Sequence, residues 1–492
     1  MNSLNSDNPF GAPTACGAAR PRVSRVTMGD GEIDRAVMDA RAADGVRLPR
    51  ADSAARLGPT PGQAAVVIAG FAVLIWAVAT RPGATGAGIV LALQAAFVVC
   101  AAWRVLLVVM SRDAGKAVPE PAAWPRYTIL AALHDEADVT PQLIERLAAI
   151  DYPADRLEGF LVLEAHDRRT IDAALRTPRP DWLKVLIAPP GTPRTKPRAL
   201  NIALARCTGE FLTVYDAEDD PDPLQLREAA ARFAADRDGQ LACLQAPLRI
   251  RRRGRDGAAP FLDRQFAVEY AALFEVTLPA MARMGLPFPL GGTSNHFRVE
   301  ALKAVGGWDA FNVTEDADLG FRLWRHGRRL GVISRPTYEP PPGPMLHWLP
   351  QRTRWLKGFM QTWGVNTRRP WRLGLRGALA LTMTIGVALV SAVAHGPSIA
   401  WVVTALITAI DARITPATPL LSMSVMVLGA AAAWLSGLIG ARRAGVGYSV
   451  TDMLSAPAYW SLLSLAFAHA AWRLVVEPFA WDKTSHAPDP KA

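Results

Sequence analysis

Hydrophobic positions divide the chain into two apolar regions with a mixed one between them. Residues 57–80 and 82–103 carry no charged side chain. Each run meets the roughly 20 residues that a helix needs to cross about 30 Å of hydrocarbon. Arg81 and Pro82 separate them, so the pattern predicts a transmembrane hairpin over 57–110. The second apolar region spans 377–474; it is uncharged from 377 to 410 but interrupted at His395-Gly396-Pro397. That interruption predicts two helices joined by a turn. Further helices at about 416–440 and 453–472 bring the C-terminal set to about four and the total to six. With six spans Arg442 and Arg443 lie outside, against the tendency of basic residues to stay on the cytoplasmic side. Loss of the 398–412 span would leave five and move the C-terminus outward.

The region 118–350 has the periodicity of a soluble domain. Short apolar runs at Tyr127–Leu133, Gly159–Leu163 and Glu210–Tyr215 predict buried strands, separated by helical stretches such as the one opened by Thr140-Pro141. This order predicts an α/β domain with a mostly parallel sheet and helices on both faces, inserted between the two helical regions. In such sheets ligands sit beyond the carboxyl ends of the strands. All three runs end in acids there: Asp135-Glu136, Glu164 with Asp167, and Asp216-Ala217-Glu218-Asp219-Asp220.

Composition narrows the classes. Four scattered cysteines argue against a disulfide framework, and eight histidines without ligand spacing argue against zinc. No nucleic-acid motif accompanies the net charge of +10, so the basic residues are read as contacts to membrane lipids, not nucleic acid. Residues 1–56 and 475–492 read as cytoplasmic tails, the first of them disordered, and no signal peptide is evident.

Within Asp216–Asp220, four carboxylates in five residues repel one another unless a cation compensates them. A divalent ion bridging carboxylate to diphosphate, Mg²⁺ or Mn²⁺, is the candidate, with Asp216, Glu218 and Asp219 as ligands. Lys196, Arg352 and Arg354 are candidates for diphosphate oxygens. The arginines read equally as surface anchors, because Trp348, Trp355 and Trp363 mark residues 351–376 as an interfacial stretch. Trp355 offers a flat face to a sugar ring. Gly291-Gly292-Thr293-Ser294-Asn295 would let backbone approach an acceptor closely, and Thr293 and Ser294 are kept as binding candidates. The arginines at 249, 251, 252, 253 and 255 read as a solvated or lipid-facing loop.

In this arrangement the chain resembles family 2 glycosyltransferases of the GT-A fold, of the type found in cellulose, hyaluronan and chitin synthases. The landmarks are ordered: Glu136; Glu164 with Asp167 as competitor; Tyr215-Asp216-Ala217-Glu218-Asp219; Thr314-Glu315-Asp316; and Gln351-Arg352-Thr353-Arg354-Trp355. A Pro478–His486 tail segment adds to the likeness. The family's second strand-end acids are replaced by Glu164-Ala165-His166-Asp167, and its Asp-x-Asp by Asp216-Ala217-Glu218.

The resemblance implies an inverting transfer from a nucleotide sugar, most naturally UDP-linked, to a glycan or a lipid-linked acceptor on the cytoplasmic face of an inner membrane. In it Asp316 is the base that takes the acceptor proton, Glu315 orients the acceptor, and Gln351 and Trp355 flank the acceptor terminus. Processive polysaccharide synthesis with export, helped by a periplasmic or accessory partner, is the first expectation. A single transfer to a lipid carrier, with GDP-mannose as a donor, is the alternative. A non-catalytic scaffold retaining the fold is a third reading, which the presence of Asp216 and Asp316 disfavours. The Thr314–Asp316 acids also suit a helix start.

Overall fold

The computed structural model describes residues 23–24, 48–56, 58–111, 118–251, 259–412, 417–480 and 487–488. The tail expected before residue 48, Arg252, Arg253 and Arg255, and the Trp481–His486 segment lie outside the described residues.

Strands in chain order are β1 (Tyr127–Leu133), β2 (Leu157–Glu164), β3 (Leu183–Ala188), β4 (Phe211–Tyr215), β5 (Leu241–Gln245), β6 (Leu248–Ile250), β7 (Asn295–Arg298), β8 (Arg329–Val332) and β9 (Thr337–Glu339). The helices that position the site are α1 (Pro61–Thr80), α2 (Pro82–Met110), α3 (Thr140–Ala148), α4 (Arg168–Arg176), α5 (Lys196–Leu204), α6 (Gln225–Ala234), α7 (Phe261–Ala272), α8 (Glu315–Arg325) and α9 (Met345–Asn366). The helical stretch Pro370–Asp411 (α10), then α11 (Ala417–Ala444) and α12 (Val450–Val476), complete the chain.

Seven strands form one sheet in the order β8-β5-β7-β4-β1-β2-β3. Pairings β4-β1, β1-β2, β2-β3 and β8-β5 are parallel, and β7 runs antiparallel between β4 and β5. Strand β1 is covered on both faces, which is why it reads as an unbroken apolar run. One face packs Leu143, Leu147, Ile171 and Leu226; the other packs Leu200, Leu204, Leu302 and Phe297. The expected α/β architecture is the one observed.

The C-terminal region departs from expectation. No turn forms at His395-Gly396-Pro397: Pro397 lies inside a helix that continues to Asp411. Packing explains the continuity, because Ser464 Oγ of α12 accepts the Gly396 N–H at 3.1 Å, and a Cβ on Gly396 would come within 3.0 Å of that oxygen. A proline-containing helix is tolerated where a neighbour supports the backbone. Three long helices therefore follow α9 where about four were expected.

Four helices are long and apolar enough to cross a membrane: α1, α2, α10 and α11. Helix α12 has both ends tied to the α/β side of the molecule. Asp452 pairs with Arg264 at its start, and Lys357 and Gln361 of α9 donate to the carbonyls of Glu477 and Pro478 just past its end. It lies alongside α9, with Arg352 bonded to Tyr459 and Leu356 packed on Ala466 and Ala470. Among the described residues, four helices thus qualify by length and apolarity where the expectation was six spans. The difficulty with Arg442 and Arg443 goes with it: Arg443 sits at the α/β end of α11, donating to Ser111 O at 2.6 Å and Glu275 O at 2.7 Å.

Residues 48–56 were expected in a disordered tail, but they are docked on the α/β domain. Ser53 Oγ and Ala54 N donate to the Asp309 carboxylate at 2.9 and 2.6 Å, and Arg325 pairs with Asp52 at 3.0 Å.

Candidate active site

The strand-end acids converge on one side of the sheet because parallel pairing brings the carboxyl ends of β1, β2 and β4 together. Asp216 follows β4, and its loop is clamped by arginines. Arg146 donates to Glu218 O at 3.1 Å, Arg251 donates to the same oxygen at 3.1 Å, and both pair with Asp220. Part of the charge compensation expected from a metal is therefore supplied by the chain itself. Asp219 turns inward and is fully buried. Its Oδ2 accepts the Asp216 N–H at 2.7 Å and the Thr293 hydroxyl, while its Oδ1 has no hydrogen-bond partner.

Opposite this loop, α8 begins at the Thr314-Glu315-Asp316 turn. Helix α9 presses on that turn through Gly358, where a Cβ would come within 2.4 Å of Thr314 Oγ1. Gln361 accepts the Val313 N–H at 3.0 Å, and Thr362 Oγ1 accepts from Asn312 at 3.1 Å. The Gln-x-x-Arg-Trp helix thus builds the turn that carries Asp316. Gly292 marks where the two carboxylates meet: a Cβ there would lie 3.3 Å from Asp316 Oδ2 and 4.0 Å from Asp216 Oδ2. Lys196 at the start of α5 is the counter-ion; it pairs with Asp216 and donates to Gly292 O at 2.7 Å.

Lys196 and Arg354 among several carboxylates leave the site strongly biased toward negative charge. Burial, with Asp316 adjacent, pushes the Glu315 carboxyl up to about 8. Burial likewise pushes Asp316 up to about 6, against the pull of Lys196 and Arg354. Burial alone would lower Lys196, but Asp216 and Glu315 hold it above the usual lysine range. Sequence reasoning missed Glu339 at the end of β9. Burial, together with Asp219, Glu218 and Asp216, pushes its carboxyl well above the usual range. An acid ending a short strand was its only local signal.

At the neighbouring strand ends, Glu164 and Asp167 separate. Glu164 lines the cavity beside Arg198 at 3.9 Å, and burial raises its carboxyl despite that guanidinium. Asp167 is not among the lining residues; it caps α4, taking the Thr170 N–H at 3.2 Å and the Asp135 N–H. Glu136 lines the same cavity, 6% exposed.

Other expectations need correction. Ser294 has a φ of 55° and points its hydroxyl into the core, 2.6 Å from Thr337 Oγ1. Thr293 holds Asp219 and is 2% exposed. Thr293 lines the cavity while its hydroxyl is committed to Asp219, and Ser294 is turned into the core. Arg352, expected at the diphosphate, has both terminal nitrogens on Glu269 at 2.8 and 2.6 Å and a third bond to Tyr459. Its guanidinium is sandwiched 4.8 Å from the Phe266 ring and 4.6 Å from Trp355. Gln351, Arg352, Arg354 and Trp355 all line the cavity.

The cavity encloses about 700 Å³. One end carries Glu164, Asp216, Glu218 and Asp316; the other runs between α2, α10, α11 and α12, past Leu107, Met383, Ala388 and Gly437. Among the described residues no three acidic, histidine or cysteine side chains form a ready-made metal cage. Asp216 and Glu218 still face the cavity from one loop. Two carboxylates are what Mg²⁺ ordinarily takes from a protein when phosphates and water supply the rest, so the residues fit such an ion.

Residues 211–474 match the family model described as glycosyl transferase family group 2. The chain belongs to this family. A beta-monoglucosyldiacylglycerol synthase of Synechocystis sp. is 30% identical over 244 residues, 48% of either chain. The UDP-forming cellulose synthase 1 catalytic subunit of Komagataeibacter xylinus is 25% identical over 253 residues, 50% of this chain and 32% of that one. The chain spans about half the length of the first of these relatives. A solved mannosyltransferase, PcManGT from Pyrobaculum calidifontis in complex with GDP-Man and Mn2+, is similar at 18% identity with a TM-score of 0.49, covering 79% of this chain and 98% of that one. The family assignment accounts for the order in which the acids occur.

Proposed function

We propose that this chain is an inverting glycosyltransferase that moves a sugar from a nucleotide sugar to a lipid acceptor at a membrane surface. The observation that carries the proposal is the single cavity joining the Asp216–Asp316 carboxylates to a chamber between apolar helices. The chamber walls mix apolar side chains such as Leu107, Met383 and Leu463 with scattered polar ones such as Ser391, His395 and Ser436. A polysaccharide channel needs groups that satisfy sugar hydroxyls all along its length, and the apolar stretches suit acyl or prenyl chains. A relative whose name carries a glucosylated diacylglycerol agrees with that choice. The second reading, polymer synthesis and export, is favoured by the Gln351–Trp355 motif beside the cavity and by the likeness to a cellulose synthase subunit.

In this reading the donor's base lies toward Glu136 and Glu164, and its diphosphate toward Asp216, Glu218 and Lys196. A divalent ion held by Asp216 and Glu218 would offset charge on the leaving nucleotide. Asp316 takes the proton of the acceptor hydroxyl as the new bond forms, and its raised pKa suits it to that work near neutrality. Glu315 orients the acceptor, and direct displacement inverts an α-linked donor to a β product. Four crossings would leave the α/β domain and residues 48–56 on one side of the membrane, and the basic residues at the α11 end support reading that side as the cytoplasmic face of an inner membrane.

The test is nucleotide release by purified protein in lipid, from a panel of UDP- and GDP-sugars with Mg²⁺ or Mn²⁺. Release from one donor, lost with chelator and in Asp316→Asn, is expected, with a small lipid-soluble product. A long water-soluble polymer would favour the second reading. No release from any donor, together with no nucleotide binding by calorimetry, would overturn both.

A further inference from the structure

The membrane-level half of the cavity contains a charge that the reaction above does not use. Arg104 lies on α2, six residues before its end at Met110, about 9 Å along the helix from the α/β domain. It lines the cavity, and among the described residues no hydrogen bond or ion pair holds its guanidinium. Glu269 is the nearby acid, but both of its oxygens are taken by Arg352 and one of them also by Tyr459. Trp103 lines the same cavity, and its indole N–H is buried with no acceptor. One charged donor, attracted by Glu269 but hydrogen-bonded to nothing among the described residues, thus lines a mainly apolar chamber, with the unpaired Trp103 N–H buried just behind its wall.

An ionisable side chain within an apolar span is costly, and ordinarily a ligand or a partner repays it. A neutral diacylglycerol would leave the guanidinium unpaired. A phosphate held at head-group depth would satisfy the Arg104 guanidinium, which binds phosphate oxygens in a fork, beside the Trp103 ring that lines the same wall.

We propose that the Arg104–Trp103 wall is a binding site for the phosphate of an anionic acceptor lipid, whose chains occupy the chamber lined by Leu107, Met383, Ala388 and Gly437. The site rests on the lipid-acceptor reading and deepens it by naming the acceptor's charge. It adds no chemical step: the sugar still goes to a hydroxyl of the head group that reaches Asp316, and the proton goes to that carboxylate.

The experiment measures binding to the full chain in detergent micelles with three probes: dodecyl phosphate, dodecanol and inorganic phosphate. Saturable binding of dodecyl phosphate is expected, at least tenfold tighter than either other probe. Arg104→Gln should weaken it tenfold or more, Arg104→Lys less, and Trp103→Phe a few-fold, with melting temperature and nucleotide binding unchanged. Equal binding of dodecanol would overturn the phosphate, and equal binding of inorganic phosphate would overturn the lipid. Unchanged affinity in folded Arg104→Gln would overturn the residue. If Arg104→Gln does not fold, Trp103→Phe and Arg104→Lys decide by the same readout. Failure here leaves nucleotide release with a lipid-soluble product from diacylglycerol mixtures intact, whereas failure of the parent reading shows as a water-soluble polymer or as no release with any lipid.

Discussion

Two groups of buried charge lie along one cavity and are balanced in opposite ways. Arg352, Glu269 and Tyr459 form a closed set, with short bonds and aromatic faces on the guanidinium. Asp216, Glu315, Asp316 and Glu339 share mainly Lys196, and three of these four carboxyls are pushed upward by burial and by one another. The first set holds together without a ligand, with Arg352 Nε its one buried unpaired atom, and ties α9 to α7 and α12. The second is stable only as a compromise, and perturbed carboxyls in a cleft mark a functional site. Each set contains at least one residue of a landmark motif, Arg352 in the first and Asp216, Glu315 and Asp316 in the second, so belonging to a motif does not separate holding from reacting. Charge balance does.

The contrast is sharpest in Asp316→Asn. Nucleotide release in single turnover should fall about 10²–10⁴-fold, the usual weight of a general base, while donor binding by calorimetry survives. A variant with wild-type turnover would remove Asp316 from the reaction. Arg352→Met should act on the other set and on stability. Leaving Glu269 without its partner should cost about 2–3 kcal/mol in denaturant unfolding, below the ~3–5 typical of buried pairs because Glu269 is 39% exposed. Retained stability with lost donor affinity would return Arg352 to the diphosphate.

The pH response is a smaller effect with a definite sign. Turnover should rise as pH climbs through about 6, where Asp316 loses its proton. Stability should fall over the interval from the unfolded carboxylate pKa, near 4, up through about 6 for Asp316 and about 8 for Glu315. The folded chain there binds more protons than the unfolded one, so the slope is negative. Asp316→Asn should flatten the lower part of that curve and unfold later than wild type at pH 8. The smallest effect belongs to Asp167→Ala. Loss of its cap on α4 should cost about 1 kcal/mol of stability with donor KM unchanged, whereas Glu164→Ala should raise donor KM several-fold with little loss of stability. The reverse pattern would exchange their roles.

The strands and their acidic ends were legible because buried parallel strands are continuous apolar runs and the acids follow them directly. The hairpin of α1 and α2 was legible for the same local reason. Less was legible where distant segments decide. Nothing near Arg352 announces Glu269, which lies 83 residues away in sequence. Nothing near Ser294 announces Thr337, which turns its hydroxyl inward. The Gly396-Pro397 pair has the local chemistry of a turn, and only Ser464 on another helix keeps it helical. Glu164 and Asp167 are chemically alike and three residues apart; the Thr170 and Asp135 N–H groups decide which one is a cap.

The sequence by itself determined the order of elements, the apolar runs long enough to span, and the acids at strand ends, because each follows from neighbours within a few residues. The tertiary structure decided which of those acids share a cavity, which arginine is held as a brace, and whether the Gly396-Pro397 pair breaks a helix. Those outcomes depend on charge and packing between segments tens to hundreds of residues apart. Local periodicity carries no record of them.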